Sequence, residues 1–205
     1  VSLLLDPQPG ESVLDACAGL GGKTAHIAQL MQNKGSVAAM DKDAKKLQQL
    51  DSEMQRLSIP IVDTHCIDLH SSLGKKQVDD FDRILIDAPC SGLGVLRRNP
   101  DVKWNSTEES LKRHAKIQGR FLENLAPMVK ANGVLVYSVC SIEPEENEAV
   151  IDSFLKKHPE FVIDKGLGKL PETIYSRIQS TTGFKTLPLL KNMDGFYLAR
   201  LRRIN

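Results

Sequence analysis

Two of the four cysteines stand in settings where a thiol can do chemistry. Cys90 closes Asp87-Ala88-Pro89-Cys90 and precedes Ser91-Gly92. Cys140 sits in Tyr137-Ser138-Val139-Cys140-Ser141-Ile142-Glu143-Pro144-Glu145-Glu146-Asn147-Glu148. Each follows an apolar stretch of strand type and lies beside acids or polar turn residues. A thiolate is a strong nucleophile, but a thiol with its ordinary pKa of about 8.5 reaches that form only where its surroundings favour the anion. Cys17 and Cys66 read instead as small packing residues, Cys17 with its backbone near a ligand loop. No two cysteines form a C-x-x-C pair, and the five histidines show no ligand spacing such as H-E-x-x-H. A protein-bound metal is therefore not expected.

The second chemical feature is residues 15–24, which read D-A-C-A-G-L-G-G-K-T. Gly19, Gly21 and Gly22 lie between a strand and a helix, where glycine admits positive φ and close approach of the backbone to a ligand. A Walker A loop would need glycine at Cys17, and the fingerprint G-x-G-x-x-G would need glycine at Thr24, so both fail by one residue. The loop of S-adenosylmethionine-dependent methyltransferases asks only for a glycine-rich turn after the first strand and an acid ending the second. Asp41 supplies that acid, 20 residues beyond Gly21. Its carboxylate can accept hydrogen bonds from both hydroxyls of a ribose. Asp68, at the end of a third strand, is the candidate for the adenine side, though acids also follow strands because they suit turns.

All these residues need one kind of support, the end of a strand. Apolar runs predict strands at residues 12–17, 36–41, 61–67, 81–87 and 133–138. Helical spacing predicts helices at 23–32, 43–57 and 145–157. A further helix, carrying Leu111, Phe121, Leu122 and Leu125, opens on a capping box of Ser106 and Glu109 and is bent or ended by Pro127. A final strand covers 196–201, after the turn at Asp194-Gly195. The alternation predicts an α/β fold, a mostly parallel sheet with helices on both faces and an antiparallel C-terminal strand. Ligands in open sheets of this class bind beyond the carboxyl ends of the strands. Residues 15–23, Asp41, Asp68, Asp87 to Cys90 and Cys140 all fall there.

Composition sets outer bounds. The 205 residues suit one domain, and 41% hydrophobic with 26% charged residues is an ordinary globular balance. No apolar run is long enough for a membrane helix, and residues 1–5 lack the basic flank and cleavage site of a secretory signal. The missing initiator Met leads us to expect a fragment. The chain reads as cytoplasmic, so its cysteines are expected as free thiols. A net charge of +1 gives nucleic acid no support by itself, so an RNA site must come from local clustering. Arg97, Arg98 and Lys103 cluster beside Trp104 in the loop of residues 91–105, a combination that meets phosphates and stacks a base. Arg113, Lys116 and Arg120 recur near helical spacing, either as an extension of that patch or as a charged outer face.

The two cysteine segments and the glycine turn together resemble the Sun (also called Fmu) family of RNA cytosine carbon-5 methyltransferases, and within it the bacterial enzymes of the small-subunit ribosomal RNA. The resemblance covers residues 5–203, including Arg97-Arg98-Asn99-Pro100-Asp101 and Asp194-Gly195-Phe196-Tyr197. It implies a Rossmann-like domain over residues 1–205, with an additional helical RNA-binding domain upstream. It implies S-adenosylmethionine held by Cys17, Ala18, Gly19, Leu20, Gly21, Gly22 and Lys23 with Asp41, Asp68 and Asp87. It makes Cys140 the nucleophile and Cys90 the cysteine that helps release the product.

Chemistry supports those roles. Carbon 5 of cytosine is a poor nucleophile until a thiolate adds to carbon 6. Asp87 is placed to position the base, and Lys23 to give electrostatic support. DNA cytosine methyltransferases place the nucleophile in a P-C motif, which here would be Cys90. The second cysteine, in C-S-I-E-P-E-E-N, favours Cys140. One departure stands out: the family loop reads C-A-A-P-G-G-K, and Gly19-Leu20 here replace Ala-Pro, which frees a fixed φ. The expected partner is RNA, with 16S ribosomal RNA as substrate, and the expected state is a monomer without metal or membrane. The competing readings are a small-molecule methyltransferase on the same fold and a catalytically silent RNA-binding module.

Overall fold

In the computed structural model, which describes residues 1–71, 80–166, 168–188 and 193–205, strands and helices alternate as expected. In chain order these are α1 (Ser2–Leu5), β1 (Ser12–Asp15), α2 (Gly22–Leu30), β2 (Ser36–Asp41), α3 (Ala44–Arg56), β3 (Val62–Cys66) and β4 (Phe81–Asp87). Then come α4 (Val102–Asn105), α5 (Glu108–Leu125), β5 (Val129–Val139), α6 (Glu148–Lys157), β6 (Phe161–Ile163), α7 (Glu172–Ile178), β7 (Phe184–Thr186) and β8 (Phe196–Arg203). The sheet order is β3-β2-β1-β4-β5-β8-β6, with β7 also paired to β8. β1 to β5 pair in parallel, and β8 runs antiparallel to β5, β6 and β7. This is the Rossmann-like methyltransferase architecture.

Alternation along the central strands divides the core in two, because successive side chains point to opposite faces. On one face Leu14, Ile84, Ile86, Leu135 and Tyr137 pack with Phe121, Leu122 and Leu125 of α5 and Ile151 and Phe154 of α6. On the other, Val13, Leu85, Val134 and Val136 pack with Leu4, Leu5, Ile27, Met31 and Ile178. A third cluster seats Leu47, Leu50 and Met54 of α3 against Ala28 and Ala39. Both faces of β1, β4 and β5 are thus covered, as parallel strands require. Among the described residues, no helix is long and apolar enough to cross a membrane.

Local chemistry explains where element ends differ from expectation. The cap of α5 is Thr107, not Ser106: Thr107 Oγ1 accepts from Ser110 N at 3.1 Å, and Ser110 Oγ accepts from Thr107 N at 2.9 Å. The reciprocal box is therefore Thr107/Ser110, because the Ser106 hydroxyl already donates to Val102 O at 3.0 Å. The last helix of the predicted set begins at Glu148 rather than Glu145, since Pro144 to Asn147 form tight turns, with Glu146 N on Glu143 O and Asn147 N on Pro144 O. Short elements without a clear apolar period (α1, α4, β6, α7 and β7) were not expected.

The C-terminal arginines turn inward. Arg200, only 4% exposed, and Arg202 both pair with Asp164 Oδ2, at 3.0 and 2.7 Å. Arg203 donates to Val129 O at 2.6 Å. They brace β8 against its neighbours.

Candidate active site

The carboxyl ends of β1, β2, β3 and β4 open onto one cleft of about 240 Å³, whose walls include Cys17, Gly19, Asp41, Asp68, His70 and Asp87. The glycine turn forms its floor. Ala18 N donates to Met40 O at 2.9 Å, and Gly21 N donates back to Ala18 O at 3.0 Å. Gly21 caps α2 with φ +88°, and a β-carbon there would meet Leu50 Cγ at 2.7 Å. Only glycine satisfies both the left-handed backbone and the close approach of α3. Asp41 ties the turn to β2. One of its oxygens accepts from Gly19 N at 3.0 Å and the other from Asp43 N at 2.9 Å. Leu20 is 59% exposed and lies outside the cleft wall. Gly22 and Lys23 open α2.

The acids of the cleft are held differently. Asp68 Oδ1 pairs with His70 Nδ1 at 2.6 Å, and the His70 backbone N–H holds its carboxyl below the usual range. His70 stands edge-on to Phe121, with centroids 5.1 Å apart. Asp87 Oδ2 pairs with Lys23 Nζ at 2.6 Å, which joins α2 to the end of β4 across β1. Burial and the Asp15, Asp87 and Asp41 carboxylates push the Cys17 thiol up. Cys17 is thus a wall residue with an inert thiol.

Asp15 is buried beneath the turn. Thr24 Oγ1 donates to its Oδ2 at 2.8 Å, while Oδ1 has no partner. Burial raises its pKa from 3.8 to about 6. A carboxyl that stays protonated longer in the folded state stabilises that state most at low pH. Its contribution is complete below about pH 3.8 and is lost as pH rises through about 6, an effect of roughly 3 kcal/mol. Relative to Asp15→Asn, the wild type is expected to lose stability between pH 4 and 6.5. Denaturant unfolding of both proteins at several pH values measures this, and parallel curves would contradict it.

Beyond the cleft, the two cysteines meet. Cys90 Sγ and Cys140 Sγ are 3.3 Å apart, both half-buried and both free thiols. The hydrogen bond from Cys90 holds the Cys140 thiol below its ordinary value. The same bond, with burial and the charge on Cys140, pushes Cys90 well up. The two thiols are thus unequal: Cys140 is the easier to ionise and Cys90 the harder.

Several residues that build this pair were not singled out from the sequence. Ser91, after Cys90, and Ser141, after Cys140, stand with hydroxyls 3.3 Å apart. The fully buried Glu146 accepts from Ser91 N at 2.9 Å and from the Ser91 hydroxyl. Gln118 on α5, also fully buried, donates to Glu146 Oε1 at 3.1 Å and to Pro89 O at 3.0 Å. Gly94 N donates to Cys140 O at 3.0 Å, and Gly195 N donates to Gly94 O at 2.7 Å. A β-carbon on Gly94 would meet Gly195 O at 2.1 Å, so the Asp194-Gly195 turn docks backbone to backbone behind Cys140. The sequence signal was present in P-C-S-G-L-G, E-E-N and D-G, but nothing in it told which acid turns inward.

The basic loop is partly committed. Arg98 Nε pairs with Asp194 Oδ2 at 2.8 Å, and Arg97 lies 3.4 Å from Oδ1. Their side chains remain 54% and 68% exposed, for Arg97 and Arg98 respectively. Lys103 Nζ sits 4.5 Å from the centre of the Trp104 ring, which is itself 75% exposed. The loop contains a 3-10 turn, Leu93–Val95, and α4.

Comparison with known proteins agrees with this geometry. The family described as "16S rRNA methyltransferase RsmB/F" matches residues 2–202. The chain is 41% identical over 204 residues to "Probable ribosomal RNA small subunit methyltransferase B" of Bacillus subtilis (strain 168), covering 99% of this chain and 45% of that protein. It is 40% identical over 207 residues to "Ribosomal RNA small subunit methyltransferase B" of Yersinia pseudotuberculosis serotype O:1b (strain IP 31758), covering 97% and 43%. The chain thus spans less than half the length of these curated relatives.

Among solved structures, NSun6 from Pyrococcus horikoshii with SFG matches with a TM-score of 0.83 at 29% identity, over 100% of this chain and 50% of that one. A methyltransferase homolog protein from Pyrococcus horikoshii matches with a TM-score of 0.78 at 35% identity, over 98% and 66%. By the match along nearly its whole length, this chain belongs to the 16S rRNA methyltransferase RsmB/F family.

Proposed function

We propose that residues 1–205 form the catalytic domain of an enzyme that methylates carbon 5 of a cytosine in 16S ribosomal RNA, using S-adenosylmethionine and a covalent adduct on Cys140. The observation that carries the reading is the pair of free sulfurs, 3.3 Å apart, next to a cleft of nucleoside-binding character. An RNA-binding domain elsewhere in the protein completes the substrate site. The relatives, more than twice as long as this chain, are consistent with that division.

The residues fit the cofactor. Carboxylates only accept hydrogen bonds, and Asp41, Asp68 and Asp87 line the cleft with acceptors. These suit ribose hydroxyls, an adenine amino group and a cationic centre. When bound, S-adenosylmethionine supplies a methyl group on a positively charged sulfur. Asp41 is assigned to the ribose and Asp68 to the adenine side, with the turn at Cys17 to Lys23 as the backbone cradle. Leu20 contributes through its backbone.

The chain's own residues then act on an extruded base. The Cys140 thiolate adds to carbon 6, and the displaced electron pair makes carbon 5 nucleophilic. Asp87, held by Lys23, hydrogen-bonds the amino edge and ring nitrogen of the base and stabilises the added charge where a proton is shared. Once carbon 5 is methylated, Cys90 or a water beside it takes the carbon 5 proton. The electron pair of that C–H bond forms the 5,6 double bond, and the Cys140 sulfur leaves as thiolate. Arg97, Arg98 and Lys103 meet phosphates near the entrance.

Transfer of a tritiated methyl group from the cofactor tests this. With the intact protein, label is expected in 16S ribosomal RNA as 5-methylcytosine. Label in a metabolite pool instead would make the chain a small-molecule methyltransferase. No cofactor binding by calorimetry would make it a silent RNA-binding module.

A further inference from the structure

Glu146 is a buried acid that the reaction scheme above does not use. Its side chain has no exposure to solvent. Among the described residues its carboxylate is held by neutral donors: the backbone and hydroxyl of Ser91 and the amide of Gln118. The His114 ring is farther off, with Nδ1 3.8 Å from Oε1. Burying a carboxylate is costly, and an apolar side chain of similar volume fills space at lower cost. What Glu146 adds is acceptors, and their partners flank Cys90. Ser91 follows it, and Gln118 also grips Pro89 O on the other side at 3.0 Å. The backbone of Glu146 is fixed in turn, because the Tyr137 hydroxyl donates to its carbonyl at 2.7 Å. Tyr137 lies on β5, three residues before Cys140.

We propose that Glu146 is a positioning residue that clamps the Cys90 segment to the Cys140 segment, so that the two sulfurs stay in hydrogen-bond contact before any RNA arrives. The inference rests on the reading of Cys140 as nucleophile and adds the part that arms it. Without the clamp, Ser91 loses its acceptor, the Cys90 thiol drifts and its donation to Cys140 is lost.

The test compares wild type with Glu146→Met in the intact protein. Methionine keeps the length and much of the volume but offers no oxygen acceptor, so the grips on Ser91 and Gln118 fail. Alkylation of Cys140 by iodoacetamide, read peptide by peptide across pH without RNA, is expected to move its midpoint up by about one unit. Methyl transfer is expected to fall about 100-fold, as for a misplaced reacting group. Cofactor affinity is expected to stay unchanged, since Glu146 touches no part of the glycine turn.

A folded Glu146→Met protein with the wild-type alkylation profile overturns the proposal. If that variant does not fold, Ser91→Ala and Gln118→Leu each remove one grip, and wild-type profiles in both overturn it equally. The alkylation arm needs no RNA. A shifted profile in an enzyme that never methylates RNA would therefore sink the reading of the reaction and leave the clamp standing.

Discussion

Replacing Cys140 by alanine is expected to reduce methyl transfer to RNA at least about a thousandfold, on the order of 4 kcal/mol in the barrier, while cofactor binding persists. The size follows from the chemistry. Without an added nucleophile at carbon 6, carbon 5 of cytosine is a poor nucleophile, and Cys140 is the thiol of the pair whose pKa its neighbour lowers. Cys90 is not expected to substitute, because burial still raises its pKa once Cys140 is gone. Cofactor binding survives because the cleft walls belong to other segments. Calorimetry with the cofactor and a single-turnover methylation assay separate the two effects. The same polarisation sets the pH dependence: turnover rises as the Cys140 thiol ionises and levels off below the ordinary thiol range. Full activity in the variant would remove Cys140 from the mechanism.

The second large effect is the opposite failure. Cys90→Ala is expected to add to the base more slowly than wild type, since Cys140 loses its hydrogen-bond partner, then to accept the methyl group and stall as a covalent protein–RNA adduct. The proton on Cys90 looks at first like an obstacle to a role as base. Two of the causes that raise its pKa, the hydrogen bond to Cys140 and the charge on it, disappear when that sulfur becomes bonded to carbon 6. Cys90 then becomes easier to ionise at the step where a base is needed, and it lies 3.3 Å from the sulfur that must leave. Multiple turnover is expected to fall about a hundredfold or more, within the range of lost acid–base catalysis. Absence of a shifted band on a denaturing gel, where wild type turns over, would count against this.

The placement of the candidate site residues was legible because it depends on local pattern. Acids and cysteines placed just after apolar runs fall at strand ends in any parallel sheet, so Asp41, Asp68, Asp87, Cys90 and Cys140 converge from the alternation alone. The partners that fix them were not legible, because each is long-range. Nothing in the sequence pairs Lys23 with Asp87, Ser91 with Glu146, or Arg98 with Asp194; sheet order brings them together. Gly94 and Gly195 read as ordinary turn glycines until their backbones are seen in contact. The cap of α5 moved by one residue because Ser106 is used by the preceding turn, a competition between two serine hydrogen bonds that spacing cannot rank. The edge pieces β6 and β7 are three residues each, too short for a period to register.

Which sulfur bonds the base is the claim on which the rest stands, and the two alanine variants answer it side by side. Each is mixed with 16S ribosomal RNA and S-adenosylmethionine, run under denaturing conditions, and digested to find the peptide that carries a nucleotide. The account predicts an adduct with Cys90→Ala, on the peptide containing Cys140, and none with Cys140→Ala. An adduct with Cys140→Ala on the peptide containing Cys90, and none in the reciprocal variant, would contradict it.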